Sequence, residues 1–418
     1  MRKPTVFYGW WLVAGFSFMT MTSTGIRHAV GPFLKPITAD LGLDRATFSV
    51  VIAVSLFLFG LFGPLAGIIL DRIGARATAT LGAVSLIVSL LLTGVVRSFW
   101  EFFLVYGVLL SFGLALCGPV LASGVTARWF NKRRGTALSI LASASMVGMS
   151  ILVPVVTWLI LNTGWRWAYT IIGFGVCAIY LPIALFVVRE SPEAMGIGVD
   201  GGKPEPQAAA ATAKRVTASD AMQTLAFWQL AGSFFTCGFS MSLLSAHGIP
   251  MLTDHGYTPM FASWVMGVLG ASAVGGTLLL GVIADRIGRR PVLAGIYATR
   301  ILIFAGFFLI RDNPAAIIGV AILGGITMSG TGSMTSALTA DIWGRFSVSR
   351  VLGVIFLVHQ TGSAIGSWLA GALFEATGGY GPAFVLACLF LAGAAIVALR
   401  VDKGTRRVWS ATPASATS

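Results

Sequence analysis

The chain has 418 residues, of which 56% are hydrophobic and only 10% are charged, and its mean hydropathy is +0.87. Because soluble proteins carry about 25% charged residues, this composition excludes a water-soluble surface and indicates a protein solvated by lipid. The formal net charge is +13; the placement of basic residues relative to a membrane accounts for it, and nucleic acid is not an expected partner.

Apolar stretches long enough to cross a bilayer recur along the chain. A hydrocarbon core of about 30 Å requires roughly 20 helical residues, and these runs are continuous, unlike the short alternating strands of a membrane barrel. In chain order the predicted spans are residues 8–34, 47–70, 77–96, 100–128, 135–161, 166–189, 224–251, 260–283, 291–310, 314–339, 352–375 and 381–400. The expected fold class is therefore an all-α membrane protein with twelve transmembrane helices.

The longest interruption of this pattern lies at residues 190–222, where glycine, proline, alanine and charged residues predict a solvated, flexible linker. The expected organisation is a six-helix bundle at 1–189, this cytoplasmic linker, a second six-helix bundle at 223–400 and a polar cytoplasmic tail at 401–418. We expect the tail to be disordered.

The chain contains an internal repeat. GIILDRIGAR at 67–76 and GVIADRIGRR at 281–290 stand 214 residues apart, and the same offset superposes Asp40 on Asp254. This shared register indicates a duplicated, pseudo-symmetric unit. In a hydrophobic chain, such duplication is typical of transporters that bind their substrate between the two halves.

Basic residues lie mainly on one side of the predicted membrane. Of the 28 lysines and arginines, 21 fall in the even-numbered loops and the termini, five in the odd-numbered loops, and two, Arg27 and Arg300, within spans. The positive-inside rule then places both termini in the cytoplasm of a bacterial inner membrane, with the basic loops near anionic lipid headgroups. The first apolar stretch is too long for a cleavable signal peptide and is expected to remain as an anchor.

Each copy of the repeated decapeptide ends one predicted helix and begins the next. Gly67 and Gly281 are expected to allow close approach of neighbouring helices. Gly74 and Gly288 are expected to take the positive φ of a tight turn. The acid and bases of the motif are placed to contact helix N-termini, lipid headgroups or the opposite half. The expected gating residues are Gly67, Asp71, Arg72, Gly74, Arg76, Gly281, Asp285, Arg286, Gly288 and Arg290.

The G-x-x-x-D-R-x-G-x-R spacing in both halves, with the twelve spans and the central linker, resembles the major facilitator superfamily over essentially the whole chain. The resemblance implies an alternating-access cycle in which the motif forms a latch between the halves. The simpler interpretation is that the motif is a basic topology signal and nothing more.

Segments around the motif resemble the prokaryotic monocarboxylate-porter branch, which includes oxalate–formate exchangers and lactate transporters. They are RWFNKRRGTALSI at 128–140, SPEAMGIGVDGG at 191–202, HGIPMLTDHGYT at 247–258 and DIWGRFSVSRVLG at 341–353. The resemblance implies a small carboxylate as the cargo.

Ionisable groups deep within the spans are few, and none is acidic: they are Arg27, His28, His247, Arg300 and His359. Each charge there costs roughly 2.5–3.5 kcal/mol on insertion scales and is usually functional. A basic pocket attracts anions, and an arginine fits a carboxylate bidentately. The structural alternatives are an Arg27 that extends to the interface, a packing role for His28, a helix cap at His247, and a peripheral Arg300 paired with backbone or lipid.

Alignment with the exchanger branch implies that His359 stands where those proteins hold the substrate carboxylate with a lysine. It also places Arg27 and His28 at pocket-lining positions. Thr277 replaces an arginine that is the second anchor of the branch, so the resemblance implies a monocarboxylate, or a larger and less polar acid, rather than a dicarboxylate. The expected substrate-binding residues are Arg27, His28, His247, Thr277 and His359.

These observations predict a secondary active transporter of a small organic anion, expected to be a monomer. A histidine in the spans could load and release protons, with exchange and uniport as alternatives. A drug exporter is the runner-up, although Gly148–Pro154, GMSILVP, only partly matches the exporter pattern; a transporter-like ligand sensor is a third possibility. Enzyme activity, a metal site and a cofactor are not expected, because no nucleophile–base spacing, ligand cluster or GxxxxGK[ST] pattern occurs.

Overall fold

The computed structural model describes residues 7–130, 133–201, 217–310, 312–328, 330–343 and 348–401. Regular structure in these ranges is helical, as predicted. The α-helices are α1 (Tyr8–His28), α2 (Val30–Leu41), α3 (Arg45–Thr93), α4 (Phe99–Phe102), α5 (Ser111–Leu116), α6 (Pro119–Trp129), α7 (Arg134–Thr163), α8 (Trp165–Pro182), α9 (Ala218–Met222), α10 (Leu225–Asp254), α11 (Pro259–Ile287), α12 (Arg289–Leu309), α13 (Pro314–Met328), α14 (Gly330–Trp343), α15 (Val348–Thr377) and α16 (Gly381–Leu399). Two π-helical segments follow α4 and α8, at Phe103–Leu110 and Ile183–Val187.

The predicted spans correspond to these helices, but several spans are built from more than one helix. The first span divides at Ala29 into α1 and α2. Pro32 explains the break, because it has no N–H to pair with the carbonyl four residues earlier. The second and third spans are joined in α3, which turns sharply at the non-helical Gly74.

Within the described ranges, nine helical stretches are long and apolar enough to cross a membrane, and one of them, Arg45–Thr93, covers two predicted spans. Helices α1 and α10 are not among the nine. Both contain several serines and threonines, and they carry Arg27, His28 and His247. These two spans bring three of the basic side chains into the protein interior, and α12 and α15 bring Arg300 and His359.

Helix packing joins the first half of the chain (residues 7–201) to the second half (residues 217–401). Helix α3 packs on α15 and α7 packs on α11 across the halves, while α1 packs on α7 and α10 on α15 within them. Glycines permit these approaches: a Cβ at Gly238 would lie 2.0 Å from the His359 carbonyl oxygen, and one at Gly371 would lie 2.8 Å from the Arg45 carbonyl oxygen. Small residues at helix interfaces are typical of membrane proteins.

The segment predicted to be a flexible linker is partly helical at its ends. Short 3-10 helices occur at Glu193–Met195 and Val199–Gly201, and α9 begins with a capping box between Thr217 and Asp220. The capping box supplies backbone hydrogen bonds at the start of α9, and the flexible linker over residues 190–222 stays a prediction. The rest of the linker, 202–216, and the tail from 402 lie outside the described residues.

Candidate functional site

Two basic side chains that are far apart in the sequence meet at one buried amide. Arg27 Nη2 donates to Gln360 Oε1 at 3.4 Å, and His359 Nδ1 lies 2.9 Å from the same oxygen. Because an amide oxygen only accepts hydrogen bonds, Nδ1 of His359 is the donor. The structure thus brings Arg27 of α1 and His359 of α15 together from opposite halves of the chain.

Aromatic rings surround these polar groups. The Arg27 guanidinium lies 4.6 Å from the Phe59 ring centroid. The His359 ring stacks on Phe356 at 5.7 Å and lies 4.4 Å from Phe234. Cations are attracted to aromatic faces, so the rings hold the basic groups in place and supply apolar walls beside them.

Ion pairs among the described residues lie near helix ends, and none of them includes Arg27. The guanidinium therefore rests on a neutral amide and an aromatic ring within the membrane-spanning region. An arginine that is not neutralised by a carboxylate in a water-poor interior attracts anions strongly.

His28 follows Arg27 in the last turn of α1. Its Nδ1 atom is buried and has no hydrogen-bond partner among the described residues. Buried polar atoms are nearly always paired. His28 therefore remains a candidate for contact with a ligand.

His247 lies in a different cluster from Arg27 and His359. The ring is fully buried; Nε2 lies 3.0 Å from the Ser367 carbonyl oxygen and 3.2 Å from Ser49 Oγ, and Nδ1 lies 3.2 Å from the Tyr380 hydroxyl. Both ring nitrogens are engaged, so His247 connects helices in this conformation instead of presenting a free nitrogen to a substrate.

Thr277 also has its hydroxyl engaged, since Oγ1 donates to the Ala273 carbonyl one turn earlier in α11, at 2.9 Å. The position that the resemblance assigns to a second cationic anchor is therefore a neutral side chain bonded within its own helix.

Arg300 is buried in the second half, with 3% of its surface exposed. It donates to the carbonyls of Thr327 and Met328, to Thr331 Oγ1 and to Cys237 Sγ, at 2.8–3.2 Å. Of the two partners expected for Arg300, backbone or lipid, the structure shows the backbone, because the guanidinium binds the carbonyls where α13 ends. The cavity beside it measures only about 20 Å³, which is room for a water molecule.

We call the end of the molecule that carries the α2–α3, α10–α11 and α15–α16 connections the far end. There, Asp254 of the second half binds Lys35 Nζ at 2.7 Å and Arg45 Nη1 at 2.6 Å, both from the first half. Arg45 also donates to the Tyr380 hydroxyl at 2.8 Å, and its backbone N–H donates to Glu375 at 2.9 Å. The halves are therefore tied together at the far end.

We call the opposite end, with the repeated decapeptides, the motif end. Gly74 and Gly288 have φ of 81° and 93°, as expected for tight turns. Arg128 bridges Asp71, at 3.2 Å, to Glu190, which also accepts the Ala75 backbone N–H. In the first half, the motif carboxylate thus pairs within its own half in this conformation.

The second copy of the motif makes a different connection, because its ion pair joins Arg289 to Asp341. Asp285 and Arg286 are exposed, as are Arg72 and Arg76 of the first copy.

The close helix approach predicted at Gly67 and Gly281 is wrong for this conformation. A Cβ at Gly67 would meet only Val120, at 3.8 Å, and one at Gly281 would meet nothing within 4 Å. The neighbouring helices leave room at these positions, so small residues are not required there by packing in this state.

Sequence reasoning missed Gln360 because it considered only ionisable groups. The available signal was a large polar amide directly after His359 within a predicted membrane span. Cys237 is a second uncharged residue with a polar contact, since its sulfur accepts a hydrogen bond from Arg300 at 3.2 Å.

A helical membrane protein whose two halves meet around buried basic side chains has the architecture of a membrane transporter. The sequence profile of the Major Facilitator Superfamily matches residues 11–313 and 230–415, and the chain belongs to that superfamily of transporters, which are not enzymes.

Relatives cover nearly the whole chain at low identity. The chain is 26% identical to the uncharacterized MFS-type transporter YcxA of Bacillus subtilis, over 93% of this chain and 94% of that protein. It is 25% identical to monocarboxylate transporter 12-B of Danio rerio, over 93% and 85%. The crystal structure of a bacterial homolog of the human lysosomal transporter Spinster, inward-facing and unoccupied, superposes with a TM-score of 0.77 at 16% identity, covering 98% of this chain and 100% of that one; this likeness establishes the fold alone.

Proposed function

We propose that the protein carries a monocarboxylate by alternating access, with Arg27 and His359 binding the carboxylate group between two six-helix bundles, residues 1–189 and 223–400. The observation that carries the proposal is the single oxygen of Gln360 that accepts from both basic side chains. Similarity to proteins named monocarboxylate transporters supports the same substrate class.

The surroundings favour a single carboxylate with an apolar remainder. Thr277 supplies no second fixed charge, so a dicarboxylate would have one end unpaired in a water-poor site, which is costly. Phe59, Phe234 and Phe356 provide apolar surface beside the basic groups. A substrate with an aliphatic or aromatic tail fits this arrangement better than oxalate does.

We place the motif end and both termini in the cytoplasm of a bacterial inner membrane, because 21 of the 28 basic residues lie on that side. The exposed Arg72, Arg76 and Arg286 then lie near anionic headgroups. The far end is periplasmic, and its closure corresponds to an inward-facing state. The motif residues act in gating when the cytoplasmic side closes.

Protons are the proposed coupling ion. The chain has four histidines, and three of them, His28, His247 and His359, lie within helices of the membrane-spanning region. Protonation of His359 would add charge where the carboxylate binds, so that anion and proton load together. Uptake that is unchanged when the pH gradient is collapsed would exclude this coupling and leave exchange or uniport.

Purified protein in liposomes tests the proposal directly. We expect saturable uptake of labelled lactate or phenylacetate, and weak competition by oxalate. The Arg27→Gln variant should take up the labelled acid roughly tenfold more slowly or worse, because it lacks a charge-assisted hydrogen bond to the carboxylate. Arg97→Gln is the matched control, since Arg97 is exposed at the far end. Absence of saturable flux for every organic acid, or an Arg27→Gln variant with normal flux, would contradict the proposal.

Drug-susceptibility tests on a deletion strain, together with the liposome measurements, separate the other two functions considered. An exporter would protect a deletion strain against toxic compounds and move no carboxylate inward. A sensor would bind a ligand without any flux in liposomes.

A further inference from the structure

The Gln360 side chain is fully buried and makes three directed contacts. Its Oε1 atom accepts from Arg27 and from His359, and its Nε2 atom donates to the Leu56 carbonyl oxygen at 3.3 Å. Gly60 makes room for it, since a Cβ there would lie 2.7 Å from Gln360 Cβ. The amide orientation is fixed by these partners, because donors face its oxygen and an acceptor faces its nitrogen.

The contacts of Gln360 cross between the halves at the candidate site. Arg27, Leu56 and Gly60 belong to the first half, whereas His359 and Gln360 belong to α15 of the second half. The two hydrogen bonds between Gln360 and the first half therefore link α15 to α1 and to α3 at the candidate site.

The position of Oε1 is also the position that a substrate carboxylate oxygen requires. It is an sp² oxygen within hydrogen-bond distance of a guanidinium and an imidazole N–H. A carboxylate makes the same two bonds about twice as strongly, because it is charged. The amide is thus a weaker, neutral version of the ligand.

We infer that Gln360 is an internal stand-in for the substrate carboxylate in the empty transporter. An arriving carboxylate displaces Oε1 from Arg27 and His359 and takes over both hydrogen bonds. After the substrate leaves, the amide returns and satisfies both basic groups. This role rests on the proposed function and deepens it. Because Arg27 and His359 keep an acceptor when no substrate is bound, the empty transporter can reorient without leaving buried donors unpaired, which favours net transport over obligatory exchange.

Two substitutions separate this role from simple packing. Gln360→Leu keeps the bulk but removes the stand-in; we expect net uptake to fall roughly tenfold or more, while exchange of internal for external substrate is retained, because the loaded transporter still cycles. Gln360→Glu supplies a permanent carboxylate; we expect the KM to rise at least tenfold, because the substrate must displace a charged rival. Equal losses of net uptake and exchange in Gln360→Leu, or an unchanged KM in Gln360→Glu, would overturn the inference.

A measurement without substrate tests the pairing on which the inference depends, separately from the proposed function. Melting temperatures of wild type, Gln360→Glu, Arg27→Gln and the double variant form a double-mutant cycle in detergent free of organic acids. We expect Gln360→Glu to be tolerated when Arg27 is present and strongly destabilising when it is combined with Arg27→Gln. Additive effects would mean that position 360 does not pair with Arg27 and would overturn the inference, whereas strong coupling in a protein that moves no carboxylate would refute only the proposed substrate.

Discussion

The two ends of the molecule use the same kind of ion pair to make different connections. At the far end, Asp254 joins the second half to Lys35 and Arg45 of the first half. At the motif end, Arg128 joins Asp71 to Glu190 within the first half. Pairs between halves must break when the halves separate, whereas pairs within a half can persist through the whole cycle. We therefore expect the far-end pairs to bias which conformation is populated, and the motif-end pairs to stabilise each half.

The largest effect that would sharpen this comparison is expected for Asp254→Asn. It removes the charge that two cations of the other half share, at partly exposed positions. We expect the free energy that favours the closed far end over the open one to fall by about 1–2 kcal/mol. This change raises the open-to-closed ratio by a factor of roughly 5 to 30. Distances between spin labels at the exposed Asn162 and Ala376, with the four native cysteines replaced by serine, measure that ratio.

Asp40→Asn is the matched control for this substitution. Asp40 stands at the position that the repeat superposes on Asp254, but its ion pair, at 2.8 Å, is with Arg166 of the same half. We expect the far-end distance to stay at its wild-type value. A shift as large as that of Asp254→Asn would mean that the distinction between the two kinds of pair is wrong.

Acid is expected to act on the same contact with a smaller effect. Partial burial raises the pKa of Asp254, but the hydrogen bonds from Arg45 and Lys35 outweigh it and hold the pKa below its ordinary value of 3.8. Opening the far end removes those bonds and returns the pKa toward that value. The carboxylate therefore favours closure above the ordinary pKa, and this contribution is lost as the pH falls through the lowered pKa.

The spin-label distances should accordingly move toward the open state below about pH 4. The Asp254→Asn variant should lack this transition, since it has no carboxyl group to titrate at that position. A wild-type transition that survives in Asp254→Asn would assign the pH response to another group.

Arg128→Gln tests the motif end. The variant removes the ion pairs of Arg128 with Asp71 and with Glu190. We expect the free energy of unfolding to fall by only about 1 kcal/mol, because both pairs are partly exposed. The far-end distance should not change, because no contact between halves is removed. Arg289→Gln gives the corresponding loss in the second half, where Arg289 pairs with Asp341. A far-end shift in either variant would show that the two ends are coupled through these pairs.

Much of the fold could be predicted because its causes are local. The length of each apolar run locates the spans, and the turn at Gly74 follows from a glycine between charged residues. The break at Ala29 also has a local cause, which is the missing N–H of Pro32. Hydropathy alone does not predict this break. The joining of two spans in α3 does not follow from the run lengths.

The candidate site was only partly predictable, because its geometry depends on how helices from the two halves align. The cost of burying charge singles out Arg27 and His359 from sequence alone. The same argument does not single out Gln360, because a neutral amide has no charge to bury. It also groups His247 with Arg27 and His359, which His247 does not contact. Partners such as Tyr380 for His247 arise from packing between elements far apart in the chain.

The smallest effect on stability is expected for Asp71→Asn, whose side chain is 76% exposed and whose ion pair with Arg128 is correspondingly weak. We expect the protein to stay in the membrane, with a free energy of unfolding within about 0.5 kcal/mol of the wild-type value. If the motif forms a latch when the cytoplasmic side closes, transport should nevertheless slow, because Asp71 would then gain contacts with the other half that are absent here. Asp285→Asn, in the second copy of the motif, is the comparison. Normal transport rates in Asp71→Asn would reduce the motif to a topology signal and leave the far-end pairs as the determinant of the conformational equilibrium.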